Sequence, residues 1–387
     1  MPQAYIVEAV RTAGGRRKGR LSGIHANDLG AIALNAIIDR SGIDPSAIED
    51  VIWGCVTQAG EQAYHFGRNC VLASRLPQTV PSVTIDRQCG SSQQALHFAA
   101  QAVMSGTQDV VIAGGAESMS RVPMGSALLK ETGVLPYSPA LLERLGVDDL
   151  SQFKGAEMIA EKHGFTREML DAFGLESHRK AMAATEAGAF GAEIVPVPIT
   201  LPDGTGDMHV RDEGIRWDAS LESMAGVKLL LEGGRLTAAT SSQITDGSSA
   251  VLVVSERALK EHGLSPLARI VNLTVTAGDP VIMLEEPLFA TERALQRSGM
   301  KIDEIDLYEV NEAFASVPMA WLKHHDADPS RLNVHGGAIA LGHPLGATGT
   351  KLMATLIHAL RAQNKRYGLQ TMCEGGGIAN VTIIEAL

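Results

Sequence analysis

The stretch Pro81-Ser-Val-Thr-Ile-Asp-Arg-Gln-Cys-Gly-Ser-Ser-Gln-Gln-Ala95 decides the interpretation of this chain. Val83 and Ile85 alternate with polar neighbours, which is typical of the end of a strand. Apolar residues then recur at helical spacing until Gly106, which predicts the helix end. Cys89 is therefore predicted to lie at the turn where a strand gives way to a helix N-terminus.

This position favours a reactive thiol. Free N–H groups and the positive end of the helix dipole both stabilise a thiolate, the form of cysteine that attacks acyl groups. Gly90, Ser91 and Ser92 are small, which predicts an open site. The alternative is a structural cysteine that packs as a small hydrophobe.

Length, composition and net charge limit the classes of protein to which this chain can belong. A length of 387 residues predicts two or three domains, and 45% hydrophobic residues indicate a globular protein. The net charge of −11 argues against a nucleic-acid or anionic-membrane surface, so an anionic ligand would need a local cluster of cations. The basic turn from Arg11 to Arg20 is either one side of such a site or a solvated loop.

Cysteine usage and hydropathy predict a cytoplasmic protein. The four cysteines form no Cys-x-x-Cys pair, which fits a reducing compartment. No run reaches transmembrane length, and the first residues lack the layout of a signal peptide. His324-His325-Asp326 lacks a third ligand nearby, so no metal site is predicted.

The chain looks like a duplicated α/β unit with one insertion. Alternating strands and helices predict an α/β sheet. Between residues 119 and 240 the composition changes, with more Met, Pro, Gly and charged residues, which indicates the insertion. The second half then repeats features of the first in the same order. The paired features are Arg40-Ser-Gly42 with Arg297-Ser-Gly299, Ile43 to Trp53 with Ile302 to Val310, Cys89 to Ser92 with Gly342 to Gly349, and Ile112 to Ala116 with Met372 to Gly377.

The duplication predicts that three reactive side chains lie close together. His343 opens a helix as Cys89 does, and Cys373 ends a strand of the second half. Halves related by a pseudo-twofold axis would let the two turns face each other. One site could then hold a nucleophile, a base and a second cysteine.

Four motifs make the chain resemble the thiolase family from end to end. They are Asp86-Arg-Gln-Cys-Gly-Ser-Ser92, Asn311-Glu-Ala-Phe-Ala315, Gly336-Gly-Ala-Ile-Ala-Leu-Gly-His-Pro344 and Cys373-Glu-Gly-Gly-Gly377. The resemblance implies two α/β halves packed as an α-β-α-β-α layered sandwich with an inserted loop domain. The halves would be residues 1–118, completed by 241–268, and residues 269–387, with 119–240 as the CoA-binding loop domain.

The resemblance also implies an activity: CoA-dependent cleavage of a 3-oxoacyl-CoA to acetyl-CoA and a shortened acyl-CoA by reversible, ping-pong acyl transfer. Cys89 would carry the acyl group and His343, with an unshifted pKa near neutrality, would take its proton. Cys373 would exchange a proton with the α-carbon of acetyl-CoA.

Further roles follow from the same resemblance. One oxyanion hole would be formed by His343 and a water held by Asn311, and the other by the backbone N–H groups of Cys89 and Gly375. Arg216 and Ser242 match positions that contact the nucleotide and pantetheine parts of CoA. CoA would be a cosubstrate, with no permanently bound cofactor, and the resemblance implies a homodimer or homotetramer.

Departures from the family pattern bear on substrate. Gln93-Gln94 after the nucleophile is similar to degradative thiolases of actinobacteria, some of which act on steroid-ring fragments. His335 stands where many members have asparagine and is either part of the site wall or a packed histidine. Leu284-Glu-Glu-Pro287 replaces a Gly-x-Gly-Pro pattern, a change confined to one loop.

Several other functions compete with the leading one. An acetyl-CoA acetyltransferase would act mainly on acetoacetyl-CoA, and a non-catalytic acyl or sterol carrier would not need the reactive residues. A ketoacyl-synthase-type enzyme would have histidine at Cys373, and a cysteine hydrolase would leave that residue unexplained.

Overall fold

The computed structural model describes residues 2–128, 133, 136–201 and 203–387. Within these residues the strands are β1 (Ala4–Thr12), β2 (Gly15–Arg16), β3 (Asp50–Gly54), β4 (Ser82–Ile85), β5 (Val110–Ser118), β6 (Ile194–Val195), β7 (Val197–Thr200), β8 (Gly206–His209), β9 (Thr245–Ser255), β10 (Ala268–Ala277), β11 (Leu307–Val310), β12 (Tyr367–Glu374) and β13 (Ile378–Ala386). The α-helices are α1 (Ala26–Ser41), α2 (Phe66–Ala73), α3 (Ser91–Ser105), α4 (Pro139–Leu145), α5 (Gln152–His163), α6 (Arg167–Glu186), α7 (Leu221–Ala225), α8 (Glu256–Glu261), α9 (Glu286–Ser298), α10 (Ser316–His325), α11 (Ala338–Leu341) and α12 (Thr348–Ala362).

The main sheet contains the same arrangement twice. Its order is β11-β12-β13-β10-β1-β9-β5-β3-β4, with β2 beside β9 and β6 beside β1. In the first half β3 is parallel to β5, which is followed by antiparallel β9 and β1. In the second half β11 is parallel to β12, which is followed by antiparallel β13 and β10. The halves join where Tyr5 and Ile6 of β1 pair with Arg269 and Ala268 of β10. The predicted duplication is confirmed.

The repeated sequence signals produce repeated local structure. Helices α1 and α9 both end at a glycine in the left-handed conformation, Gly42 (φ 69°) and Gly299 (φ 71°). Each is followed by a short 3₁₀ turn, Pro45–Ala47 or Ile302–Glu304, and then by a buried strand. Glycine suits these caps because it has no Cβ to oppose a positive φ.

The elements stack in five layers. Helices α3 and α12 pack against each other between the two half-sheets, in a core that includes Leu96, Val103, Met353 and Leu356. Helices α1 and α2 cover the outer face of the first half-sheet, and α9 with α10 covers that of the second. The predicted α-β-α-β-α sandwich is confirmed.

The region between β5 and β9 is anchored to both halves. Helix α5 packs on α10, α6 packs on α11, and β6 pairs with β1. The fully buried Arg11 of β1 donates from Nε to Glu193 (2.5 Å) and from Nη1 and Nη2 to Asp212 (2.8 and 3.1 Å). A buried ion pair of this kind is costly to break, because it would leave an unpaired charge inside the protein.

In the part of the chain that the structure describes, no helix combines the length and apolar character that crossing a membrane requires.

Candidate active site

Cys89 lies in the turn between β4 and α3, as predicted, and Gly90 caps the helix. The preceding residue, Gln88, adopts a left-handed conformation with φ 49°, which is unusual for a residue with a side chain. Asp86 Oδ1 accepts the Gln88 N–H at 2.6 Å, and Ser91 Oγ donates to the Gln88 carbonyl at 2.6 Å. These two contacts hold the strained turn that presents Cys89.

The thiol is less acidic than the sequence predicts. Burial and the neighbouring Glu374 raise the pKa of Cys89 to about 12. Desolvation disfavours the thiolate more strongly than the helix terminus favours it. Burial therefore outweighs the predicted preference of this turn for a thiolate, and Cys89 is an uncharged thiol at neutral pH.

His343, the predicted base, is an uncharged imidazole. Burial, with a smaller effect of Lys351, lowers the pKa of His343 to about 3. The prediction of an unshifted pKa is wrong because the side chain is almost fully buried. The imidazole is uncharged at neutral pH and can accept a proton.

Hydrogen bonds identify which ring nitrogen of His343 carries the hydrogen. Thr348 Oγ1 donates to the Pro344 carbonyl at 2.9 Å, so its oxygen accepts from His343 Nδ1 at 2.6 Å. Nδ1 therefore carries the hydrogen and Nε2 keeps its lone pair. Asn311 Nδ2 approaches that Nε2 at 3.5 Å, which agrees with an acceptor there.

Asn311 follows β11, and its N–H donates to the Thr371 carbonyl of β12 at 3.0 Å. Its side chain is buried, and Oδ1 has no hydrogen-bond partner among the described residues. The amide therefore keeps an acceptor beside His343.

Cys373 and Gly375 lie next to the turn formed by Gln88, Cys89 and Gly90, which we name the nucleophile turn after the predicted role of Cys89. Cys373 is fully buried near the end of β12, and burial, together with Cys89 and Glu374, raises its pKa. A Cβ on Gly375 would be 3.1 Å from Gln88 Oε1, so the β12–β13 turn contacts the nucleophile turn. Cys89, His343, Asn311, Cys373 and Gly375 thus come together from both halves.

A cavity of about 620 Å³ opens onto Cys89 and His343. Much of its wall is apolar, formed by Met119, Met124, Phe153, Leu230, Ile244, Phe314 and Leu345. Cations from two segments also line it, namely Arg16, Arg17 and Lys18 of the basic turn and Arg216. Cys373, Asn311 and Gly375 do not line this cavity. Asn311 contacts His343, which does, and Gly375 lies against Gln88, the residue before Cys89.

The two residues predicted to contact CoA also line this cavity. Arg216 is exposed, and its N–H donates to His178 Nδ1 at 3.2 Å. Ser242 is half-buried and donates its N–H to the Ala313 carbonyl at 2.9 Å, within the segment that follows Asn311.

Two buried charged residues that the sequence interpretation missed hold the His343 loop. Lys351 Nζ donates to the carbonyls of Leu341 (2.9 Å) and Gly342 (2.7 Å), just before His343. Glu117, at the end of β5, accepts the Gly346 N–H at 2.9 Å as well as N–H groups of Val56 and Thr57. Glu117 is the penultimate residue of β5 and lies two positions after Gly115, and a charged residue at the end of so apolar a strand is the signal that could have found it.

Two other histidine positions have structural contacts. His335 packs edge-to-face on Phe190 (5.6 Å between ring centroids) and does not line the cavity, so it is a packed histidine. His324 contacts Glu292 Oε1 at 2.6 Å. Among the described residues, no three His, Cys, Asp or Glu side chains form a group that could hold a metal ion.

Comparison with known proteins gives one family over the whole chain. Residues 4–257 match the thiolase N-terminal domain and residues 264–386 the thiolase C-terminal domain. The steroid 3-ketoacyl-CoA thiolase FadA6 of Mycobacterium tuberculosis is 54% identical, covering 100% of this chain and 95% of that protein. The 3-ketoacyl-CoA thiolase of Cronobacter sakazakii is 40% identical, with both chains covered completely.

Solved structures agree with the sequence relatives. The acetyl-CoA acetyltransferase of Bacillus anthracis has a TM-score of 0.91, and human mitochondrial 3-ketoacyl-CoA thiolase has a TM-score of 0.90. Both are 34% identical, and the match covers 100% of this chain and 99% of each structure. With two family domains in sequence and a shared fold, this chain belongs to the thiolase family.

Proposed function

We propose that Cys89, His343 and Cys373 perform the acyl transfer of a 3-ketoacyl-CoA thiolase in this chain. The observation that carries the proposal is the uncharged pair of Cys89 and His343 on one cavity wall, with Nε2 of the histidine unprotonated and engaged by a long contact of 3.5 Å from Asn311 Nδ2. Cys373 lies close enough to Cys89 for a charge on the Cys89 sulfur to raise the pKa of the Cys373 thiol.

The first half-reaction breaks a carbon–carbon bond. His343 Nε2 takes the Cys89 proton as sulfur attacks the 3-oxo carbon, so no free thiolate has to accumulate. The bond between carbons 2 and 3 then breaks, and the acyl group stays on Cys89. The electron pair goes to the acetyl-CoA enolate, which takes its proton from Cys373.

The second half-reaction returns the enzyme to its first state. The Cys373 thiolate takes the proton of the incoming CoA thiol, and the CoA sulfur attacks the acyl group on Cys89. Shortened acyl-CoA leaves, and the proton held by His343 returns to the Cys89 sulfur. Atoms and charges balance without another reactant.

Two sets of donors would stabilise the negative oxygens. We assign one to the protonated His343 and a water held by Asn311, whose free Oδ1 supports this role. We assign the other to the backbone N–H groups of Cys89 and Gly375, which lie on contacting turns. Loss of one such donor typically raises a barrier by about 3–4 kcal/mol.

The proposed substrate is a 3-oxoacyl-CoA with a bulky or ring-bearing acyl group. The largely apolar wall of the cavity suits such a group, and Arg16, Arg17, Lys18 and Arg216 suit the phosphates of CoA. The 54% identity to a protein named as a steroid thiolase supports the ring-bearing class.

The direct test is CoA-dependent cleavage of a series of 3-oxoacyl-CoAs, from acetoacetyl-CoA through long-chain to ring-bearing compounds. We expect kcat/KM for acetyl-CoA release to increase with acyl bulk. A preference for acetoacetyl-CoA would instead indicate an acetyl-CoA acetyltransferase, which the similarity to the Bacillus anthracis structure keeps as the second candidate. Folded protein that cleaves none of them would favour a carrier.

Arg216→Ala is expected to weaken CoA binding about tenfold, equivalent to about 1.4 kcal/mol, because a cation is removed from the cavity wall. The measurement is KM for CoA during cleavage, compared with KM for a small thiol acceptor, which should not change. Arg211→Ala is a matched control, because Arg211 is exposed on the same segment but lines a different cavity. Equal CoA affinity in the wild type, Arg216→Ala and Arg211→Ala would contradict the role of Arg216. It would also remove the support for Ser242, because both residues were assigned by the same resemblance.

We also propose that residues 119–240 form a CoA-binding loop domain. It would lie between a first half, residues 1–118 completed by 241–268, and a second half, residues 269–387.

We further propose a cytoplasmic location and a homodimer, or a tetramer built from that dimer. Strand β4 is an edge of the sheet, and the exposed Val83 lies on it, so a second copy could extend the sheet there. A monomer mass in sedimentation equilibrium would contradict the dimer.

A further inference from the structure

Glu374 is the shared neighbour of the two active-site cysteines. It ends β12 directly after Cys373, and its side chain is fully buried. Its carboxyl group packs under Gly90, the residue after Cys89. A Cβ built on Gly90 would be 2.0 Å from Glu374 Oε1 and 2.5 Å from Cδ, so only glycine leaves room for this carboxyl.

The carboxyl group lacks the contacts that a buried carboxylate needs. Neither Oε1 nor Oε2 has a hydrogen-bond partner of ordinary geometry among the described residues, and the Asn380 backbone is a nearby but weak donor. The buried Glu117 differs, because it accepts N–H groups of Val56, Thr57 and Gly346. An unpartnered buried acid favours its protonated form.

The surroundings of Glu374 favour its protonated, uncharged form. Arg87 and Cys89 face it from the nucleophile turn, the Asn380 backbone faces it from β13, and Cys373 precedes it on β12. Burial raises the pKa of Glu374 to about 8, although Arg87 and the Asn380 backbone oppose the increase. Its charge, when present, raises the pKa of both cysteines.

We propose that Glu374 is a positioning residue that supports the nucleophile turn as a neutral acid and, when ionised, opposes thiolate formation at Cys89 and Cys373. The proposal rests on the roles proposed above for the two cysteines. Each half-reaction places negative charge on one of the sulfurs or on an adjacent oxygen. A second charge beneath the turn would oppose every one of these steps.

Ionisation of Glu374 should lower the activity at high pH. Below about pH 8 the acid is neutral, and acyl transfer proceeds. Above about pH 8 the carboxylate forms and thiolate formation becomes harder, so kcat/KM should fall. Neutral His343 does not change charge in this range, because its pKa is about 3.

Glu374→Gln tests this mechanism, because glutamine keeps the shape but cannot ionise. The rate of iodoacetamide labelling of Cys89, resolved by peptide mass spectrometry, should match the wild type at pH 6.5. At pH 9 it should be about tenfold faster in the variant, which corresponds to a thiol pKa lower by one unit. The fall in kcat/KM above pH 8 should be smaller in the variant than in the wild type. A change that both proteins share belongs to Lys351, whose pKa burial lowers to about 8.

Controls separate this effect from a structural one. Glu8→Gln changes a partly buried acid whose pKa is also raised but which faces Arg40 and His358 rather than the cysteines, so it should keep the wild-type profiles. Identical labelling profiles for wild type and Glu374→Gln would overturn the proposal. If that variant does not fold, the wild-type profile decides: its logarithmic slope should fall below one near pH 8, and a unit slope throughout overturns the proposal.

The labelling experiment requires no substrate. A chain inactive toward every 3-oxoacyl-CoA would refute the proposed function but leave the test of Glu374 intact.

Discussion

Cys89→Ala is expected to abolish acyl-enzyme formation and to lower kcat by roughly 10⁴- to 10⁶-fold, the range seen when a nucleophile is removed. Alanine fits the turn, so the contacts of Gln88 with Asp86 and Ser91 should remain. His343 then has no thiol proton to accept, and the acyl group has no atom to which it can transfer.

The measurement is the intact mass of the protein after brief exposure to acetyl-CoA or a 3-oxoacyl-CoA, together with kcat. Cys70→Ala is the matched control, because Cys70 is a buried cysteine in the core of the first half, packed near Gly30. It should still add one acyl group. A Cys89→Ala protein that gains acyl mass would assign the nucleophile to another residue.

Cys373→Ala is expected to separate the two chemical events. The protein should still accept an acyl group on Cys89, but exchange of the α-protons of acetyl-CoA with solvent should fall by about 10²- to 10⁴-fold, the usual contribution of a positioned acid or base. Overall cleavage should fall similarly, because the enolate no longer has a proton donor. Cys373 is fully buried in β12, so alanine preserves the strand.

Proton NMR of acetyl-CoA in deuterated water measures this exchange, and intact mass measures the acylation. Cys70→Ala again serves as control and should exchange at the wild-type rate. Unchanged exchange in Cys373→Ala would show that another base removes the α-proton. Loss of acylation as well would mean that Cys373 supports the nucleophile rather than the α-carbon.

Local signals made much of the fold predictable. The strand, turn and helix around Cys89 depend on neighbours in sequence, and so do the glycine caps Gly42 and Gly299. Because these signals occur twice in one order, they also predicted the duplicated halves. The same order placed His343 and Cys373 opposite Cys89.

Ionisation could not be predicted in this way. The pKa values of Cys89 and His343 depend on burial by residues far away in sequence, and burial proved stronger than the helix terminus. Lys351 and Glu374 look like ordinary charged residues in the sequence. Only the tertiary structure buries one against the carbonyls before His343 and the other under Gly90.

The central position of β1 has a consequence for synthesis on the ribosome. This first strand pairs with β9 on one side and β10 on the other, more than 230 residues later in the chain. A nascent chain that has not yet reached Ser255 therefore cannot complete the first half-sheet. Such distant partners slow folding, because a long loop must close first. We expect β1 to depend on chaperone protection while the middle of the chain emerges.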